Sequence, residues 1–343
     1  MADVNSNQNN KKNPSSFIGD FSDSMSNHFP DIDGNIAVGV SGGADSMALC
    51  FALSEYFKDV PSVTIYALSV DHGLRRESAD EVQHVARQLS NLPNVYHHVL
   101  TWAHETTPEA RIQEKAREAR YSLMKEYMRE RGINLLFLGH HIDDQAETFL
   151  FRLSKGSGLD GLSCMSVAQD MGADITFCRP MLGLKKEDMI SFCDDRGVGF
   201  IDDPSNYCDN YARVRLRKSR DLLAEEGLSS KRLFVASKRF FRARKALEQL
   251  SNSAYDECFL ESDASCIVFK LSSLISNPEE IVLRVVLRAM SELKNDSGYG
   301  ARLERVENLC ADLVVQESFR KRTLGGIIFE CKTKDDKFIL SLE

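Results

Sequence analysis

The chain has 343 residues, 43% of them apolar and 27% charged, which suits a soluble protein long enough for two cores at roughly 100 to 200 residues per domain. No apolar run approaches the length of a membrane span and the N-terminus lacks the charged-then-apolar order of a signal peptide, so a cytosolic protein is expected. Nine scattered cysteines without a single Cys-x-x-Cys signal neither a disulfide frame nor a zinc or iron–sulfur clip, and the net charge of −8 argues against a nucleic-acid partner until its distribution is read.

In chain order, residues 1–16 are rich in Asn, Ser and Lys and read as a disordered lead, with a short helix over Phe17 to Phe29. Ile36 to Val40 has strand character and runs straight into Ser41-Gly42-Gly43-Ala44-Asp45-Ser46, after which Met47, Cys50, Leu53 and Phe57 recur at helical spacing. A buried strand thus ends in a glycine turn that opens a helix. Glycines let the backbone approach a bound group, the serines add hydroxyls, and the helix start aims unpaired N–H groups into the turn. The arrangement suits an anion, phosphate above all. A Walker loop is excluded, because the chain contains no Gly-Lys pair. Further strands are expected over Val63 to Val70, Val95 to Trp102 and Ile133 to Gly139, separated by helices over Ser78 to Leu89 and Glu109 to Arg131. Apolar strands alternating with helices predict an α/β fold, a parallel sheet with helices on both faces. Ligands bind such sheets beyond the carboxyl ends of the strands, so the glycine turn, Asp71-His72 and His140-His141 are expected to converge.

Asp143 and Asp144 open the next helix, in which Asp144, Glu147 and Thr148 share a face able to hold magnesium or a substrate amine, while Asp143 points about 100° away. Gly156 to Gly161 matches G-x-G-x-x-G but follows a helix instead of a strand, so it reads as the end of that helix and a flexible loop. Gly183 to Gly197 reads as a helix and Gly199 to Asn206 as a Pro-containing loop. From Arg213 to Lys245 twelve Lys or Arg face three acids, a local +9 that leaves −17 for the remainder. Within it, Leu233, Ala236, Phe240, Ala243, Leu247 and Leu250 form one apolar stripe, with Lys231, Lys238, Arg242 and Lys245 opposite. Helices over Pro278 to Leu293 and Ala301 to Val315 and a hairpin over Arg322 to Leu342 complete the chain. The expected organisation is a weakly ordered lead (1–30), a nucleotide-binding catalytic domain (31–217) and a smaller, mainly helical domain ending in a hairpin (218–343).

Ser-Gly-Gly-x-Asp-Ser resembles the PP-loop of the ATP pyrophosphatase superfamily, Rossmann-like enzymes that split ATP between the α and β phosphates. HHIDDQAET followed by FLFRLSKGSGLDGL is similar to the second signature of the tRNA(Ile)-lysidine synthetases. VDHGLR (Val70 to Arg75), AREARY (Ala116 to Tyr121), RPML (Arg179 to Leu182), DDPSN (Asp202 to Asn206) and a weaker TLGG (Thr323 to Gly326) follow in family order. The resemblance implies ATP-dependent ligation of L-lysine to C2 of the wobble cytidine of an isoleucine tRNA with a CAU anticodon, through an adenylated intermediate. It implies that Ser41, Gly42, Gly43, Ala44, Asp45, Ser46, Asp71 and His72 hold ATP. Asp45, Asp144, Arg117 and Arg120 would be catalytic, with Asp45 and Asp144 on Mg2+, and His140 and His141 would act as ligands or bases or pack beside the site. The basic face at Lys231, Lys238, Arg242 and Lys245 would take the tRNA. Many members of that family carry a further C-terminal domain, which this sequence lacks either as a short form or as a piece of a longer chain. The oligomeric state is left open, a homodimer included. The competing readings are a thiolating PP-loop enzyme, which typically needs paired cysteines; a small-molecule adenylating amidotransferase, which needs no basic segment; and an RNA-binding protein with an inactive loop.

Overall fold

Strand β1 (Asn35–Gly39) is fully buried from Ile36 to Val38, and its alternation sends Ile36 and Val38 to one face and Ala37 to the other. Both faces must therefore be covered. The computed structural model describes residues 15–73, 78–103, 112–172, 174–201, 212–294, 303–315 and 319–343. It divides the chain into two compact units, residues 1–241 and 242–343.

The first unit opens with α1 (Ser15–His28), and after β1 come α2 (Ala44–Tyr56), β2 (Thr64–Asp71), α3 (Ser78–Leu89), β3 (Val95–Thr101), α4 (Ile112–Glu130) and β4 (Leu135–Phe137). Next follow α5 (Ile142–Ser154), α6 (Leu159–Leu162), β5 (Ala168–Asp170), β6 (Thr176–Cys178), α7 (Lys186–Asp195), α8 (Ala212–Lys218), α9 (Arg220–Glu225) and the start of α10 (Ser230–Cys258). The sheet order is β3-β2-β1-β4-β6-β5, parallel except for the edge strand β5. Ile36 and Val38 pack with Phe21, Met47, Leu49 and Phe192 of α1, α2 and α7, and Ala37 and Leu136 pack with Met124 and Met128 of α4. Because β2 lies on one side of β1 and β4 on the other, the crevice where strand order reverses opens beyond the ends of β1 and β4.

Three sequence expectations are revised here. The lead expected over residues 1–30 contains α1, whose Phe17, Phe21 and Met25 are buried in the main core; at about 1.5–3 kcal/mol for each such side chain, this helix is part of the domain. The expected loop at Gly156–Gly161 gives way at Leu159 to the short helix α6, Gly156 supplying the left-handed backbone (φ +72°) that ends α5. In α10, Leu233 is buried, and Ala236 and Phe240 pack with it on Ala146, Phe149 and Leu162 of α5 and α6, so the division into units falls within α10, later than the expected domain start at 218.

The second unit contains the end of α10, β7 (Phe259–Ser262), β8 (Cys266–Lys270), α11 (Leu271–Ile275), α12 (Glu279–Lys294), α13 (Leu303–Val315), β9 (Arg322–Leu324), β10 (Ile327–Lys332) and β11 (Lys337–Leu342). Its antiparallel sheet, ordered β7-β8-β11-β10-β9, buries Phe269, Phe329 and Phe338 against Val282, Val285 and Ala289 of α12. The expected terminal hairpin is β10–β11, extended on its two sides by β9 and by the strands β8 and β7. Leu250 does not continue the apolar stripe of α10: it is 58% exposed, while Ser251 turns inward and donates to the Glu248 carbonyl at 3.0 Å. Ala243 is exposed as well. No helix among the described residues is long and apolar enough to cross a membrane.

Candidate active site

The loop between β1 and α2 is shaped by its own hydroxyls. The Ser41 amide donates to Ser46 Oγ (3.1 Å), the two hydroxyl oxygens lie 3.2 Å apart, and the Ser46 hydroxyl donates to the Gly43 carbonyl (3.0 Å). Gly42 sits at φ +86°, a left-handed conformation that favours glycine, and a Cβ there would crowd the end of the Ile201 side chain at 3.0 Å. Gly43 caps α2 without a side-chain hydrogen bond, leaving first-turn N–H groups for an anion.

The loop after β4 is pressed against this turn. A Cβ on Gly139 would lie 2.9 Å from the Asp45 carbonyl oxygen, so only glycine allows the two backbones this approach. Two residues on, buried His141 caps α5: its ring Nδ1 accepts the Asp143 N–H (3.2 Å), and its backbone N–H donates to Asp144 Oδ2 (3.0 Å). An accepting Nδ1 puts the neutral ring's proton on Nε2. Nε2 faces Asp45 Oδ2 at 3.6 Å and Asp144 Oδ2 at 3.4 Å, so one imidazole nitrogen joins the two predicted acids. Burial alone would lower the His141 pKa, but the surrounding carboxylates of Asp45, Asp144 and Asp143 reverse this and raise it. Burial pushes the Asp45 carboxyl upward, and His141 with Lys186, whose Nζ is 3.6 Å from Asp45 Oδ2, more than offsets it and holds the carboxyl below its ordinary value. His140 is different in kind: burial dominates, Asp144 opposes it only partly, and the pKa falls to about 4, leaving a neutral ring at physiological pH.

Ser41, Gly43, Asp45, Ser46, His72, Arg117, Arg120 and His140 line a cleft of about 290 Å3 at the crevice. Arg120 Nη2 lies 3.3 Å from His72 Nε2, and Arg117 lies over the Tyr121 ring at 5.0 Å. The two guanidinium groups thus share the cleft with the N–H-rich loop and with the carboxylates of Asp45 and Glu81. Asp71 ends β2 and accepts the Gly73 N–H at 2.9 Å; Leu74 and Arg75 of that motif, and the DDPSN motif, lie outside the described residues. Lys231, Lys238, Arg242 and Lys245 are all exposed on α10 and none of them lines the cleft.

The expected face of Asp144, Glu147 and Thr148 is divided by the structure. Asp144 serves the His141 side, whereas Glu147 is held by Arg217 through both carboxylate oxygens (2.7 and 3.1 Å). Asp143 accepts from the Ser230 hydroxyl (2.6 Å) and lies 3.4 Å from Arg220 Nη1. Asp45 Oδ1 is buried with no hydrogen-bond partner, an atom suited to a cation. Among the described residues no three His, Cys, Asp or Glu side chains form a metal cage. Magnesium is commonly held by one or two carboxylates with water and substrate phosphates, so the donors present fit it.

The PP-loop domain family matches this chain over residues 19–223. A tRNA(Ile)-lysidine synthase of Methylobacterium nodulans is 36% identical over 281 residues, covering 82% of this chain and 81% of that protein. One from Methylobacterium sp. strain 4-46 is 37% identical over 304 residues, covering 87% and 86%. The chain belongs to the tRNA(Ile)-lysidine synthase family. Among solved structures, a U34-tRNA thiolase of Methanococcus maripaludis superposes with a TM-score of 0.57 at 15% identity over 66% of this chain and 80% of that one, a likeness of fold.

In this member of the lysidine synthase family several residues at or beside the site carry no signal that the sequence reading used. Lys186 and Arg179 stand in segments read only as a helix and as part of a motif, yet Lys186 reaches Asp45, and buried Arg179 donates to the Ser166 carbonyl at 3.0 Å and acts electrostatically on His140. The Glu147–Arg217 and Asp143–Arg220 pairs join positions about seventy or more residues apart. One clue was present: a lysine just beyond the RPML motif, in a chain whose phosphate loop has none.

Proposed function

We propose that the chain ligates L-lysine to C2 of the wobble cytidine in an isoleucine tRNA with a CAU anticodon: the oxygen on C2 takes the adenylyl group of ATP and pyrophosphate leaves, and the lysine ε-amine then attacks C2 and displaces AMP. The observation that carries this reading is the junction of the phosphate loop with α5: Asp45 and Asp144, from two separate family motifs, meet on His141 Nε2, and Asp45 lines one cleft with Arg117 and Arg120. The loop amides and the guanidinium groups suit the triphosphate, and His72 with Asp71 stands at the neighbouring strand end for the nucleoside. A magnesium ion held by Asp45 and Asp144 would neutralise phosphate charge during in-line displacement. The expected compartment is the cytoplasm.

Thiol chemistry is poorly served here. Burial pushes the Cys178 and Cys193 thiols up to about 12, so neither is a thiolate at neutral pH. The decisive assay supplies ATP, radiolabelled amino acids one at a time and a CAU-anticodon isoleucine tRNA transcript. Lysine alone is expected to become tRNA-bound, with one AMP released per lysine; ATP-dependent incorporation of sulfur, or labelling without AMP release, would replace the reading.

The exposed basic face of α10 is proposed to hold the tRNA backbone. Replacing Lys238, Arg242 and Lys245 together by Gln should weaken tRNA binding and leave ATP affinity unchanged. The log–log salt slope should fall by roughly 0.7–0.9 for each phosphate that the three side chains neutralise. Anticodon choice should survive, since phosphate contacts position and base contacts specify. Titrations at several salt concentrations check this, and identical slopes for wild type and variant would remove α10 from RNA binding.

A further inference from the structure

The phosphate loop contains no lysine, yet a lysine reaches it from elsewhere in the chain. Lys186 is the first residue of α7, and α7 is fixed beside α2: Met189, Phe192 and Cys193 are fully buried in the core that includes Met47 and Cys50, and Cys193 Sγ lies 3.7 Å from the Ala44 carbonyl. This packing sets the start of α7 next to the start of α2. The Lys186 ammonium stands 3.6 Å from Asp45 Oδ2, the oxygen that His141 also faces, while its side chain stays 39% exposed. A hydrated, flexible ammonium held loosely on one carboxylate oxygen can turn to a phosphate without dragging its helix along. Arg117 and Arg120, both from α4, line the cleft itself, and Lys186 stands at its edge through Asp45, which lines it too.

We propose that Lys186 is the phosphate-contacting cation of the loop between β1 and α2: without nucleotide it rests on Asp45, and with ATP bound its ammonium contacts the pyrophosphate group that the loop amides hold. Lys186 thereby supplies from α7 the charge that a Walker loop carries within itself. It stabilises the charge that accumulates on pyrophosphate as the bond to the α phosphorus breaks, no proton being required. The assignment rests on the reading of the cleft as an ATP site.

Binding of ATP, inorganic pyrophosphate and AMP is measured by calorimetry, with magnesium present and absent, on the wild type and on Lys186→Gln, Lys186→Arg and Lys185→Gln. Lys185 is the neighbouring lysine, which caps α7, whereas the ion pair with Asp45 is made by Lys186. Lys186→Gln should bind ATP and pyrophosphate about 10- to 100-fold more weakly, the usual loss for a hydrogen bond to a charged group, with AMP unchanged within about twofold. Lys186→Arg should recover most of the affinity, and Lys185→Gln should match the wild type. A purely structural pairing with Asp45 predicts instead a lower melting temperature with pyrophosphate affinity unchanged or improved, and that result overturns the proposal. Equal losses for AMP and pyrophosphate also overturn it. If the wild type itself binds neither ATP nor pyrophosphate, the ATP reading fails together with it; if the wild type binds both and Lys186→Gln matches it, the role of Lys186 alone is withdrawn.

Discussion

Asp45→Asn is expected to abolish ATP-dependent adenylation, lowering kcat/KM by at least about 10²- to 10³-fold, the range seen when one preorganised electrostatic group is removed from an active site. The substitution keeps an oxygen for the His141 Nε2 proton and nearly the same volume, so packing is preserved while the charge is lost. Two effects follow from that charge: the buried Oδ1 no longer attracts a cation, and Lys186 loses its resting partner. The stability consequence is smaller and depends on pH in a definite direction. Because the folded Asp45 pKa lies below the ordinary 3.8, its ionised contacts add stability above that value and lose it as the pH falls through the depressed folded pKa. The gap in melting temperature between wild type and variant should therefore be present at neutral pH and close in acid. Pyrophosphate-exchange kinetics and melting curves from about pH 2 to 8 read both effects; wild-type turnover in the variant would remove the loop from the mechanism.

Asp144→Ala is expected to be inactive, and Asp143→Ala to be less impaired, although the two acids are adjacent. Their surroundings give the reason. Asp144 accepts the His141 backbone N–H and faces His141 Nε2 beside Asp45, whereas Asp143 lies 3.8 Å from the other ring nitrogen, Nδ1, and its carboxylate is already engaged by Ser230 and Arg220. Alanine at 144 also removes half of a helix cap, a loss of about 1 kcal/mol. Asp144→Asn separates the two contributions: an amide oxygen can still accept the His141 N–H, so melting should return toward wild type while activity stays lost. If Asp143→Ala proves the more damaging, α5 turns the other acid toward the chemistry.

How far these sites could be read beforehand depended on how far apart their parts lie in the chain. The glycine turn was legible because a strand, two glycines and a helix start are all local, each fixed by residues within about ten positions of one another. The C-terminal strands were less so. β7 is exposed along its whole length, so it carries no alternation of apolar and polar residues. In α10 the buried face passes through Ser251, a polar residue satisfied by its own helix, which makes the apolar stripe seem to end at the exposed Leu250.

By itself the sequence determined the alternating α/β order, the phosphate loop, the second acidic motif and the concentration of positive charge after residue 212, since periodicity, turn chemistry and charge are properties of neighbouring residues. Only the tertiary structure decided that Asp45 and Asp144 meet on one nitrogen of His141, that Lys186 arrives from α7 and that Glu147 is engaged by Arg217. Those partners are brought together by the strand order β2-β1-β4 and by helix packing against a shared core. A pairing across 70 or 141 positions (Glu147 with Arg217, Asp45 with Lys186) leaves no periodic trace in either segment.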